Sequence, residues 1–187
     1  ISPMVEQWNE AHTEVDRIVT MEKTSGVAIK RVVTRHFVLV GENEELAWLK
    51  VERSMTHKNG MTSKSTRLKE INDGGTYKVT YDSVLTRKDG KTKTIHWVRT
   101  GSAEGVETLI EGTLTRFDGT VINLAAAKAS DGTSTVSLTS DGVSVAATQN
   151  ESTEQVLVTV TDPATSKSET TTVDVPEDGA PVAEPTE

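Results

Sequence analysis

The chain has 187 residues with 34 % hydrophobic and 26 % charged side chains, a balance that fits a packed globular protein rather than a disordered one. It contains no cysteine, which excludes disulfides, thiolate metal sites and cysteine nucleophiles, and no apolar run approaches the roughly 18–20 residues of a membrane-spanning helix. The net charge of −8 is uneven: residues 1–120 hold 18 Lys+Arg and 17 Asp+Glu, whereas residues 121–187 hold 2 and 11. All seven aromatic residues precede position 118. Two compositions are joined, and three segments are expected: 1–124, 125–175 and an acidic tail, 176–187.

In chain order, Ile1, Met4, Trp8, Ala11, Val15 and Ile18 follow 3-4 spacing, with Val5 and Val19 widening the stripe. That spacing predicts an amphipathic helix starting at Ser2-Pro3, stopping near Gly26 and packing on its own domain's sheet. From Val27 to about Leu124 the pattern changes to strands punctuated by Asn59-Gly60, Asp89-Gly90 and Asp118-Gly119, dipeptides suited to two-residue hairpin turns. A turn at Asn59-Gly60 would set Glu52 opposite Arg67, Val51 opposite Leu68 and Trp48 opposite Ile71; one at Asp89-Gly90 would set Val84 opposite Ile95. The expected first module is an antiparallel β-meander of six or seven strands carrying the helix.

Beyond residue 124, Val136/Leu138, Val143/Val145, Val156/Val158/Val160 and Val173/Val175 place aliphatics two residues apart, with Thr and Ser between them. These predict four short strands forming a small aromatic-free β-sandwich-like module, or a β-extension of the first. A core of Val, Leu and Ala alone is marginal, so the segment is expected to need a neighbour. The closing "PEDGAPVAEPTE" reads as an extended tail that orders through contact with another subunit. The fold class expected is therefore mainly β.

No motif carries chemistry. His12, His36, His57 and His96 form no ligand pattern, no phosphate-binding loop or nucleophile signature occurs, and no carboxylate pair points to acid–base work. Catalytic, cofactor and metal residues are expected to be absent. Asn150 begins an Asn-Glu-Ser glycosylation triplet, a sign of exposure only. "TRKDGKTK" at 86–93 gathers Arg87, Lys88, Lys91 and Lys93 at one hairpin tip. It suits an acidic protein surface better than nucleic acid, because no aromatic residues interleave it. The candidate interaction residues are Met4, Trp8, Val15 and Ile18 of the stripe, with Arg87, Lys88, Lys91 and Lys93 of the tip.

Residues 134–175, above all "VLVTVTDPATSKSETTTVDV", resemble the terminal strands of bacterial and phage immunoglobulin-like β-sandwich domains, where Val/Thr alternation precedes an Asp-Pro turn. The resemblance implies a surface or assembly role. The expected function is a non-enzymatic structural protein, a repeated component of a viral particle or surface layer at the virion or cell surface. Its partners would be copies of itself or other structural subunits, without membrane insertion, nucleic acid or cofactor. Two alternatives remain: an extracellular module binding carbohydrate or protein, with Trp97 or Tyr77 as platform, and a lipocalin-like carrier with an apolar cavity.

Overall fold

The computed structural model describes residues 1–24, 26–104, 106–129, 132–149, 155–162, 165 and 167–174. The glycosylation triplet at Asn150 and the tail 176–187 lie outside them. Thirteen strands follow in chain order: β1 (Val5–Trp8), β2 (Glu14–Lys23), β3 (Ala28–Val40), β4 (Asn43–Thr56), β5 (Thr62–Ile71), β6 (Tyr77–Thr86), β7 (Thr92–Gly101), β8 (Glu107–Thr115), β9 (Val121–Lys128), β10 (Ser134–Ser140), β11 (Val143–Gln149), β12 (Gln155–Asp162) and β13 (Lys167–Asp174). Every strand pairs antiparallel with its sequence neighbour, in the spatial order β1 to β13, within a single sheet.

The expected N-terminal helix is not formed. Residues 5–23 make a hairpin in which Val5 faces Ile18 and Trp8 faces Val15. Two physical causes oppose a helix. Val5, Val15, Ile18, Val19 and Thr20 are β-branched and lose side-chain freedom on a helix surface. Asn9 also closes a turn, its Oδ1 accepting the backbone N–H of Thr13 at 2.9 Å and of Glu14 at 3.2 Å. The 3-4 stripe is divided between the two faces of β2: Val15 lies on one and Ile18 on the other, because side chains alternate along a strand.

The small sandwich is not formed either. β9 pairs with β8 on one side and β10 on the other, so β10–β13 continue the same sheet. Among the described residues only the short 3-10 turn Asp73–Gly75 is helical.

Turn chemistry fixes the register. His57 N–H donates to the Met61 carbonyl at 2.8 Å, Gly60 N–H donates to the His57 carbonyl at 3.0 Å, and Gly60 has φ +82°. Asn59 keeps a negative φ, so the loop is a type I turn followed by a left-handed glycine rather than a two-residue turn. The same bonds close 72–76, 87–91, 116–120 and 129–133. Each such loop holds one residue more than the expected turn, and the pairing shifts by one: Val51 faces Arg67, Trp48 faces Glu70 and Ile95 faces Ser83. A shift of one also exchanges the faces of the partner strand. Asp141-Gly142, both with positive φ, forms the two-residue turn instead.

The three buried hydrophobic side chains among the described residues, Val15, Val33 and Val79, share one face of the sheet. Following the register, that face also carries Phe37, Leu49, Val51, Tyr81, Trp97, Ile110, Leu124, Val136, Leu138, Val145, Val158 and Val160. The opposite face is largely Thr, Ser and charged residues. Half of the usual two-layer arrangement is present: one sheet with an apolar face and no second layer over it among the described residues.

Candidate docking face

The apolar face changes character along the sheet. Over β9–β12 it is bare aliphatic: Leu124, Val136, Leu138, Val143, Val145 and Val160 are each 36–46 % exposed. Cross-strand pairing sets Leu124, Leu138, Val145 and Val160 in one continuous row. Ala126, Val136, Ala147 and Val158 form the next. Exposed aliphatics in such a row differ from scattered surface residues, because the patch is contiguous.

Over β2–β7 the same face is studded with arginine. Arg17 stands opposite Arg35, and Arg31 opposite Arg53, in strict register. Arg17 is neutralised: Nε lies 2.8 Å from Glu6, and two guanidinium nitrogens lie 2.6 and 2.9 Å from the carboxylate of Glu44. These hydrogen bonds raise the Arg17 pKa further. No carboxylate among the described residues pairs with Arg31, Arg53 or Arg67. These three line a solvent-open groove of about 640 Å³ with Met21, Val51 and Tyr81. The carboxylate at its rim, Glu22, is held by Lys30 at 2.9 Å, which keeps its pKa below the usual range.

The aromatic rings of this face are already engaged. Tyr81 stacks on Trp97 with centroids 5.2 Å apart, and Arg99 lies over Trp97 at 5.3 Å. Lys69 covers Tyr77 at 4.7 Å and Arg17 covers Phe37 at 4.8 Å. Glycines opposite two rings make room for them. A Cβ on Gly101 would collide with the Tyr77 ring, and one on Gly112 would come within 3.0 Å of the Trp97 Cβ. The structure therefore builds an arginine-lined groove flanked by filled aromatic positions.

The expected interaction residues fall in four places. Met4 and Trp8 are exposed near edge strand β1, Val15 is buried on the apolar face, and Ile18 is on the polar face, so they do not share a stripe. Arg87, Lys88 and Lys91 sit in the 87–91 turn, with Lys93 just inside β7. The turns at this end lean on one another: Lys88 packs over Gly60, and Phe117 covers the Arg87 guanidinium at 3.8 Å. The groove beside them, lined by Arg87, Lys91, Lys93 and Arg116, also contains Asp118. Asp118 Oδ1 accepts the Thr120 N–H at 3.0 Å, the main cause of a lowered pKa for that carboxyl.

The polar face holds two cross-strand His–Asp pairs. His36 Nδ1 lies 2.7 Å from Asp16, and His96 Nδ1 the same distance from Asp82. His36 also stacks on Trp48 at 4.9 Å. Each pair links adjacent strands on an open surface, and no group of three His, Asp or Glu among the described residues is arranged to hold a metal.

The sequence reading missed the arginine cluster. A signal was present in Arg31-Val32-Val33-Thr34-Arg35 and Val51-Glu52-Arg53, where arginines share the parity of buried Val33 and half-buried Val51. Compared with known proteins, the chain matches no family model, no curated protein and no solved structure.

Proposed function

We propose that this chain is a non-enzymatic structural protein that assembles with copies of itself through the apolar face of its sheet, as a repeated unit of a particle or surface layer. The observation carrying this reading is the contiguous exposed row Leu124, Leu138, Val145 and Val160. Burying such a row is worth about 25 cal/mol per Å² of apolar surface, and a sheet needs something against its hydrophobic face. A second copy is the natural occupant, because a two-fold axis sets the same row against itself without requiring a different complementary surface.

The edges are poorer joining surfaces. β1 has four residues, and β13 carries Lys167 and Glu169, both devices that discourage edge-to-edge pairing. The carrier reading needs a closed cavity, whereas among the described residues β1 pairs only with β2 and β13 only with β12. The carbohydrate reading needs free ring faces, whereas those of Tyr81, Trp97 and Tyr77 are covered on at least one side.

The test is Leu138→Asp with Val145→Lys, at two positions already 46 % and 36 % exposed. The double variant is expected to keep its β-sheet circular dichroism and to lose the higher molar mass of the parent in light scattering. An unchanged oligomer would overturn the use of this face.

A further inference from the structure

We infer that the groove of Arg31, Arg53 and Arg67 receives the acidic segment 176–187 of a second copy. This rests on the assembly reading in one respect: the second copy supplies the segment. Three observations carry it.

The first is unbalanced charge. Arg31 and Arg53 are directly opposite each other, with Arg67 one strand further on and opposite Val51, and none has a carboxylate partner among the described residues. Like charges placed opposite each other on a sheet destabilise it. A cluster of this kind becomes favourable when an anion arrives, and guanidinium forks suit carboxylates in particular.

The second is complementarity. "PEDGAPVAEPTE" carries Glu177, Asp178, Glu184 and Glu187 with no lysine or arginine, and the last basic residue before it is Lys167. Its prolines favour an extended chain without internal hydrogen bonds. Such a chain can present an acidic pair, Glu177-Asp178, and the later Glu184 and Glu187, separated by small apolar residues, to a groove floored by Met21, Val51 and Tyr81. The hairpin-tip groove is a poorer receptor, since Asp118 stands among its cations and Phe117 covers Arg87.

The third is reach. From β13 to Arg67 on β5, the nearest of the three arginines, is eight strand positions, about 38 Å at 4.8 Å per strand. Thirteen residues beyond Asp174 span at most about 45 Å when fully extended. Segment 176–187 tethered to its own β13 would spend most of its length crossing the sheet, whereas the same segment of a neighbouring copy can lie along the groove in full.

The experiment titrates the full chain with a fluorescently labelled synthetic peptide of residues 176–187. Saturable binding is expected. It should weaken about tenfold or more in Arg31→Gln/Arg53→Gln, or when the four peptide carboxylates are replaced by amides. Lys88→Gln/Lys91→Gln should leave it unchanged. The arginine variant should melt no lower than the parent, which separates lost docking from lost fold. No saturable binding, or binding indifferent to Arg31 and Arg53 but sensitive to Lys88 and Lys91, overturns the inference. Light scattering on the chain with Glu177, Asp178, Glu184 and Glu187 all neutralised keeps the two readings apart. If that chain assembles as the parent does and the peptide does not bind, the segment inference falls while face-to-face assembly stands. If the parent is monomeric throughout, face-to-face assembly and docking of a second copy's segment both fall, whatever the peptide does.

Discussion

Arg53→Met is expected to stabilise the monomer, the reverse of what most substitutions do. Arg53 faces Arg31 across β3 and β4, is exposed, and has no carboxylate partner among the described residues. Two unit charges about 6 Å apart in a water-like dielectric repel by roughly 0.7 kcal/mol. Directly opposed like charges on a sheet cost about 0.2–1 kcal/mol. Methionine keeps the apolar stem over the strand and removes only the charge, so most of that repulsion is recovered. For a chain of this length the gain corresponds to a rise in melting temperature of about 1–3 °C. The assay is thermal unfolding in low salt at the lowest workable protein concentration, where docking between copies contributes least. The difference between variant and parent should shrink as salt is added, because exposed charges are screened. A lower melting temperature for the variant, insensitive to salt, would refute the reasoning by showing that the Arg53 guanidinium is already satisfied within the chain.

Four other outcomes follow from the geometry. Val79→Ala removes two methyl groups from a side chain that is 1 % exposed and should cost about 1.5–3 kcal/mol in denaturant unfolding. Gly101→Val should displace the Tyr77 ring and lower stability, and Tyr77→Ala in the same chain should recover part of the loss, a coupling read by a double-mutant cycle. Asp118 has a folded pKa below its unfolded value, so its contribution is present above pH of about 4 and fades as pH falls through the folded value. The stability gap between the parent and Asp118→Ala should therefore close on acidification. Reversing Lys88, Lys91 and Lys93 to Glu should leave the molar mass unchanged if the face alone carries assembly, and lower it if the hairpin tip also docks an acidic surface.

The legible part of the fold was the part governed by local pattern. Alternating aliphatics between Val136 and Val160 marked strands, and Asn-Gly and Asp-Gly marked hairpin ends. Two features needed longer-range information. The segment 1–23 satisfies both periodicities: Trp8, Val15 and Ile18 fit a helical stripe, while Val15, Val19 and Met21 fit a strand face. What decides is the turn closed by Asn9, which carries no Asn-Gly or Asp-Gly dipeptide to mark it, and the pairing of β2 with β3, which lies outside the segment. The register depended on a single backbone angle, the negative φ of Asn59, which lengthens the loop by one residue. That one residue moves Leu68 away from Val51 and brings Arg67 to the apolar face. The groove stayed hidden for this reason: the parity of Arg31 and Arg53 with neighbouring valines is legible along the chain, but the arginines become a cluster only when the register is known.

The role of the apolar face is most directly tested by light scattering on the full chain across a concentration series from micromolar upwards. The account predicts a mass that rises with concentration, or a closed oligomer, and that falls to the monomer value in Leu138→Asp/Val145→Lys. A parent chain that stays monomeric at every concentration would contradict it.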